Sequence, residues 1–232
     1  MSNNEQQLRG LIVLLAGKSI GGTIVAQEDI PSSRISKKHR DLAEITDMIH
    51  LAHLVHQCVL NLSEYKLKSP ITLDKNLDNK TLMRELNLGN QIAVLIGDYL
   101  LATASKRLAS LRNPSIVSLM SQAIRDTVEA EFLSDITHYD DEDAFVEALE
   151  QKSYLAGGSL LAHGCKAAAL ISGCDDSKSL TSDGLDTKYN ADLCSSIEDV
   201  DDMATVDLAF NIGRHIGSAM QVRNSNLSLL SY

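Results

Sequence analysis

Residues 47–61 read DMIHLAHLVHQCVLN. Met48, Ile49, Leu51, Leu54, Val55, Val59 and Leu60 recur at helical spacing, so the stretch predicts a helix. Its last turn carries polar, uncharged side chains at Gln57, Cys58 and Asn61. Positions i and i+4 share a helix face, which would aim Gln57 and Asn61 the same way. His50, His53 and His56 follow an i, i+3, i+6 spacing. They spread over about 120° of a helix, a poor arrangement for three ligands on one metal, and packing or hydrogen bonding is the expected role.

Working outward, the same periodicity predicts six helices and no strands. They cover about 7–20, 40–62 (Asp41 as N-cap), 87–111, 114–136, 141–173 and 201–224. The third stops before Pro114, because the residue ahead of a proline disfavours helix. The fifth is expected to break at Gly157-Gly158. Between them lie a Gly/Ser/Pro-punctuated basic loop, GGTIVAQEDIPSSRISKKHR (21–40), and a polar connection, 63–85, that contains Pro70. The Ser/Asp-rich segment 174–200 reads as a mobile acidic loop. No internal repeat of 20–50 residues is visible.

Composition narrows the function. The chain has 232 residues, 44% of them apolar, with 3 prolines and no tryptophan. That suffices for one domain with a sizeable core. The net charge of −10 argues against a nucleic-acid or anionic-membrane surface, because both demand basic patches. No apolar run approaches the ~18 residues of a membrane span. The leading MSNNEQQ has the pattern of neither a secretory signal nor a transit peptide. Cys58, Cys165, Cys174 and Cys194 lack metal-site spacing and read as reduced, mostly buried thiols.

Several segments together resemble the trans-polyprenyl diphosphate synthases. In that family the helix matching 47–61 ends in an aspartate-rich motif, Asp-Asp-x-x-Asp, preceded by Ile-His and Leu-(Ile/Val)-His. Ile49-His50 and Leu54-Val55-His56 stand in place, but the motif positions hold Gln57, Cys58 and Asn61. GRHIGSAMQVRNSNLS (213–228) resembles the segment carrying the second motif; Gly213, Gly217, Ala219 and Gln221 match, Met220 replaces an aromatic, and the aspartates have become Asn224, Ser225 and Ser228. LNLGNQIAVLIGDYLLATA (86–104) resembles the Gly-Asn-Lys…Gly-Asp-(Phe/Tyr)-Leu-Leu-Ala helix, with Gln91 for the lysine. QLRGLIVLLAGKSIG (7–21) is similar to the early Gly-Lys-Arg-x-Arg-Pro segment; Arg9 is kept, while the lysine and first arginine fall on Gln6 and Gln7. EQKSYLAGGSLLAHGCKAA (150–168) resembles the Lys-Thr helix through Lys152-Ser153, and the arginine pair after the first motif falls on Lys66 and Leu67. The likeness covers residues 7–228. Within the family it is to the non-catalytic second subunit of heteromeric decaprenyl or solanesyl diphosphate synthases.

The resemblance implies an all-α, isoprenoid-synthase-type helical bundle, a single polyprenyl-synthase-like domain over 1–232. Relative to the family it is expected to be truncated at both ends, an incomplete copy whose missing helices would leave apolar faces uncovered. It implies no catalytic residue and no metal ligand in this chain. Mg²⁺ wants hard oxygen ligands; Gln and Asn offer neutral oxygens and Cys a soft sulfur. The expected cofactor, Mg²⁺, would sit on a catalytic polyprenyl diphosphate synthase subunit 1, the implied partner. Isoprenoid diphosphates would be handled through that complex, which supplies the ubiquinone side chain, and the implied compartment is mitochondrial. Arg9, Lys152 and Gln221 match family substrate-site positions and are candidates for residual diphosphate contacts, against a purely structural inheritance.

Other acidic groups have plainer readings. Asp140-Asp141-Glu142-Asp143 sits at an expected helix start, where carboxylates favour the macrodipole. Asp201-Asp202, after Glu198-Asp199, reads the same way. Asp98 is expected to hydrogen-bond inside the bundle. Three alternatives stay open: an active prenyltransferase using unusual ligands, a helical interaction module unrelated to prenyl synthesis, and a product of a truncated gene.

Overall fold

The computed structural model describes residues 8–24, 35–62, 79–133, 141–176 and 200–229, with the backbone alone at 21–24, 79, 173–176, 200–203 and 224–229. Among the described residues the chain is helical and has no strand. The helices are α1 (Leu8–Ile24), α2 (Lys37–Gln57), α3 (Asn79–Ser110), α4 (Pro114–Glu131), α5 (Glu142–Ser153), α6 (Ser159–Asp176) and α7 (Val200–Leu229), with a π-helical turn, Tyr154–Gly158, joining α5 to α6. None is long and apolar enough to cross a membrane.

The backbone divides into two compact units, residues 1–47 with 107–232, and residues 48–106. In the first, α6 is the centre, packed against α1, α4 and α7. Its small side chains (Ala162, Gly164, Ala167, Ala168, Ala169) let three neighbours approach at once. A β-carbon on Gly213 of α7 would lie 2.5 Å from the Leu161 carbonyl oxygen, and one on Gly217 would lie 2.7 Å from the Gly157 oxygen. Val13, Leu42, Ile45, Ile116, Met120 and Leu161 fill the core. His39 pins three helices. Its Nε2 is 3.1 Å from both the Ala168 carbonyl and Ser172 Oγ, its Nδ1 is 3.0 Å from Ser36 Oγ, and its ring lies against Gly17.

In the second unit, the C-terminal half of α2 packs on α3 through Ile49, Ala52 and Ala104, with the His56 ring seated on Gly97. The opposite face of α3 is open. Leu88, Ile92, Leu95 and Tyr99 recur at heptad-like spacing and are exposed, Leu95 at 67% and Tyr99 at 71%. Val94 and Ile96 add to that surface.

Several helix boundaries differ from the sequence expectation. α2 begins at Lys37, a turn before residue 40, with the Ser36 carbonyl accepting the Arg40 N–H. Asp41 is therefore inside the helix, and it pairs with Arg107 instead of capping. α2 ends at Gln57, not 62. α3 begins at Asn79, so part of the expected connection is helix, and residues 63–78 lie outside the described residues. α4 ends at Glu131 rather than 136. α5 and α6 run on through the π turn: the two glycines widen the helix without breaking it. α7 extends to Leu229. The expected acidic loop falls at 177–199, outside the described residues; 174–176 and 200 belong to helices.

Between α3 and α4 the chain turns sharply. Arg112 takes a left-handed conformation (φ 53°), and the Leu111 and Arg112 N–H groups bond to the Leu108 and Ala109 carbonyls. Asn113 then caps α4, its Oδ1 accepting from the Ser115 N–H at 3.1 Å and the Ile116 N–H at 3.2 Å, with Pro114 at the first helical position.

Candidate functional site

The counterpart of the first acidic motif begins on the last residue of α2. Gln57 is still helical, Cys58 is in a turn, and Asn61 is off the helix. The Cys58 and Val59 N–H groups reach three residues back, to the carbonyls of Val55 (3.1 Å) and His56 (3.2 Å). The Cys58 thiol donates to the Leu54 carbonyl at 3.2 Å. The Asn90 carboxamide then takes both backbone polar groups of Leu60: its Oδ1 accepts the N–H at 2.9 Å, and its Nδ2 donates to the carbonyl at 2.8 Å. The expected i, i+4 pairing of Gln57 with Asn61 on one helix face therefore does not form. Cys58 is exposed, contrary to the expectation of buried thiols.

His56 Nε2 lies 3.4 Å from Asp98 Oδ1 and 3.4 Å from the Val94 carbonyl. Asp98 is mostly solvent-exposed rather than enclosed in the bundle. These donors do not fit Mg²⁺. The motif positions supply two amides and an engaged thiol, and the backbone that would gather them is unwound.

In the other unit, Lys152 stands in the last turn of α5, just ahead of the π turn. Gln221 packs on that turn, since a β-carbon on Gly157 would meet its Cβ at 2.9 Å and its Oε1 at 3.1 Å. Arg214 lies over the Tyr154 ring at 5.8 Å. Asn224, Ser225 and Ser228 fall on the last turns of α7, and their side chains lie outside the described residues. Arg9 is not on a surface at all. It is 1% exposed, its Nε and Nη1 have no acceptor, and burial lowers its pKa to about 10 against the opposing pull of Asp47. Burial likewise raises the Asp47 pKa, while the Gly10 N–H, donating to Oδ1 at 2.9 Å, works the other way.

A buried polar cluster went unnoticed in the sequence. Asp126 of α4 accepts from Ser159 Oγ at 2.6 Å and from Gln122 Nε2 at 2.5 Å. His163 Nδ1, one turn along, is 2.9 Å from the Ser159 carbonyl, and its ring meets Phe210 edge to face at 5.3 Å. Ser159 spends its proton on Asp126 and is fully buried, so the trio is a clamp on the residue following the π turn, not a nucleophile with its base. At the start of α5, Glu142 and Asp143 occupy the first turn as expected.

Fold and site define an all-α isoprenoid-synthase architecture whose acidic motif positions hold no carboxylate. The model of the Polyprenyl synthetase family matches residues 1–186, and the chain belongs to that family. It is 36% identical over 171 residues to the human all trans-polyprenyl-diphosphate synthase PDSS2, covering 71% of this chain and 40% of that protein. It is 32% identical over 226 residues to a prenyl transferase of Synechocystis, covering 97% and 55%. Among solved structures, an apo Arabidopsis medium/long-chain length prenyl pyrophosphate synthase superposes with a TM-score of 0.58 at 25% identity, over 97% of this chain and 54% of that one. A decaprenyl diphosphate synthase from Rhodobacter capsulatus superposes with a TM-score of 0.59 at 18% identity, over 95% and 52%, which bears on the fold alone. The chain spans about half the length of the curated relatives it matches.

Proposed function

We propose that this chain is a non-catalytic subunit of a heteromeric trans-polyprenyl (decaprenyl or solanesyl) diphosphate synthase, working in mitochondria on the side chain of ubiquinone. The observation that carries the reading is the occupancy of the six family metal positions: Gln57, Cys58, Asn61, Asn224, Ser225 and Ser228. Prenyl transfer needs charge stabilisation as diphosphate departs. Losing one preorganised electrostatic contact typically costs about 2.7–4 kcal/mol, and here two carboxylate clusters are missing. A partner bearing intact motifs would hold Mg²⁺ and both isoprenoid diphosphates. This chain would brace it. The open face of α3 supports a partner: six large side chains offer about 600 Å², most of the ~800 Å² that one side of a standard interface buries.

The test is co-expression with the same organism's homologue that carries Asp-Asp-x-x-Asp, followed by pull-down and a Mg²⁺-dependent assay with isopentenyl diphosphate and an allylic primer. The reading expects neither protein to elongate chains alone and the co-purified pair to do so. A homologue that is fully active alone and does not bind this chain overturns it. So does Mg²⁺-dependent turnover by this chain by itself.

A further inference from the structure

Nothing in VHQCVLNL (55–62) should end a helix. The stretch holds no glycine or proline, and its apolar residues continue the α2 pattern. Yet α2 stops at Gln57. The hydrogen bonds say where the helix went. In a continued α-helix, the Cys58 N–H would bond to the Leu54 carbonyl and the Leu60 N–H to the His56 carbonyl. Instead the Cys58 thiol occupies the Leu54 carbonyl, and the Val59 N–H occupies that of His56. Leu60 is drawn aside by two opposed hydrogen bonds from one side chain, Asn90, thirty residues away on α3. A carboxamide offers a donor and an acceptor side by side, so it imitates the edge of a backbone strand. Helix and bracket satisfy the same Leu60 groups and exclude one another.

We infer that Asn90 is the helix stop for α2, a positioning residue that keeps residues 58–61 off the helix axis. The counterpart of the acidic motif has therefore lost its scaffold as well as its carboxylates. Restoring the carboxylates alone does not restore a cation site; Asn90 must also be removed. The scaffold half of this inference stands on the hydrogen bonds alone, and the cation half rests on reading 57–61 as that motif's counterpart.

The experiment compares the wild-type chain with Asn90→Ala by NMR, reading the Cα chemical shifts of residues 58–61. Non-helical shifts are expected in the wild type and helical shifts through Asn61 in the variant. Helical shifts in the wild type, or non-helical shifts in Asn90→Ala, overturn the inference. Should Asn90→Ala fail to fold, Leu60→Pro in the wild type decides instead. Off the helix it removes a single donor and lowers Tm by at most roughly 8 °C; a collapse of the fold shows that residue 60 is helical after all. For the cation, the probe is Mn²⁺ alone, followed by electron paramagnetic resonance. The triple variant Gln57→Asp, Cys58→Asp, Asn61→Asp is expected to bind no more tightly than wild type, and at least tenfold more tightly once Asn90→Ala is added. Equal binding with and without Asn90→Ala refutes the scaffold argument. None of these readouts is an activity, so a failed co-expression assay leaves them intact, and their failure leaves the partner-subunit reading standing.

Discussion

Arg107 Nη2 lies 3.0 Å from Asp41 Oδ1 and 2.5 Å from Glu44 Oε2, so one guanidinium joins two carboxylates a turn apart on α2. Its pKa is raised, first by the hydrogen bond to Glu44 and then by Asp41. The group is about one-third exposed, and water screens the gain. Arg107→Ala should lower stability in urea by about 1 kcal/mol, with Arg107→Lys recovering only part because it lacks the fork. The loss should shrink at high salt; a deficit that persists at 1 M salt would assign the effect to packing.

Two glycine-to-alanine changes should have opposite signs. Gly213→Ala puts a methyl against the Leu161 carbonyl, where backbone faces backbone, and should cost on the order of 3 kcal/mol. Gly89→Ala meets nothing within 4 Å in the interior of α3 and should gain about 1 kcal/mol through helix propensity. Thermal unfolding of the two variants side by side checks both.

The Asp126 clamp makes Ser159→Ala informative. The change removes the 2.6 Å donor and leaves a buried carboxylate short of a partner. A loss of about 1–3 kcal/mol is expected. Asp126→Asn with Ser159→Ala together should be less harmful than the sum of the single changes, because the charge and its donor leave together.

Cysteine chemistry should separate the two described thiols. Cys58 is exposed and should react with an alkylating reagent in the folded chain, whereas Cys165 is buried and should react only on unfolding. Burial pushes the Cys165 pKa up to about 12. A raised pKa in the fold means that the unfolded thiol ionises first. The stability that Cys165 contributes is full below about pH 9 and is lost as pH rises toward 12. Cys165→Ala should flatten that part of the stability–pH curve; an unchanged slope between pH 9 and 11 would show that other groups set it.

Much of the fold could be read from periodicity because α4, α5 and α7 carry their own punctuation: Asn113-Pro114, the acidic turn at Glu142, and a regular apolar stripe. What could not be read depended on distant partners. The end of α2 is set by Asn90, the place of Asp41 by Arg107, and the buried clamp by Asp126 meeting Ser159 across 33 residues. Of the candidate contacts, Arg9 gave the least warning, since a kept arginine suggests a ligand and its burial is visible only once α1 is packed. One signal was available at Asn90. An asparagine inside a helix often spends its side chain elsewhere.

The open face of α3 has a consequence for the amount of this protein in a cell. A chain that keeps Leu88, Ile92, Leu95 and Tyr99 in water offers chaperones and proteases a standing target whenever it is alone. On the partner reading, surplus copies would be cleared, so steady-state abundance would track the supply of the other subunit and not the rate at which this one is synthesised.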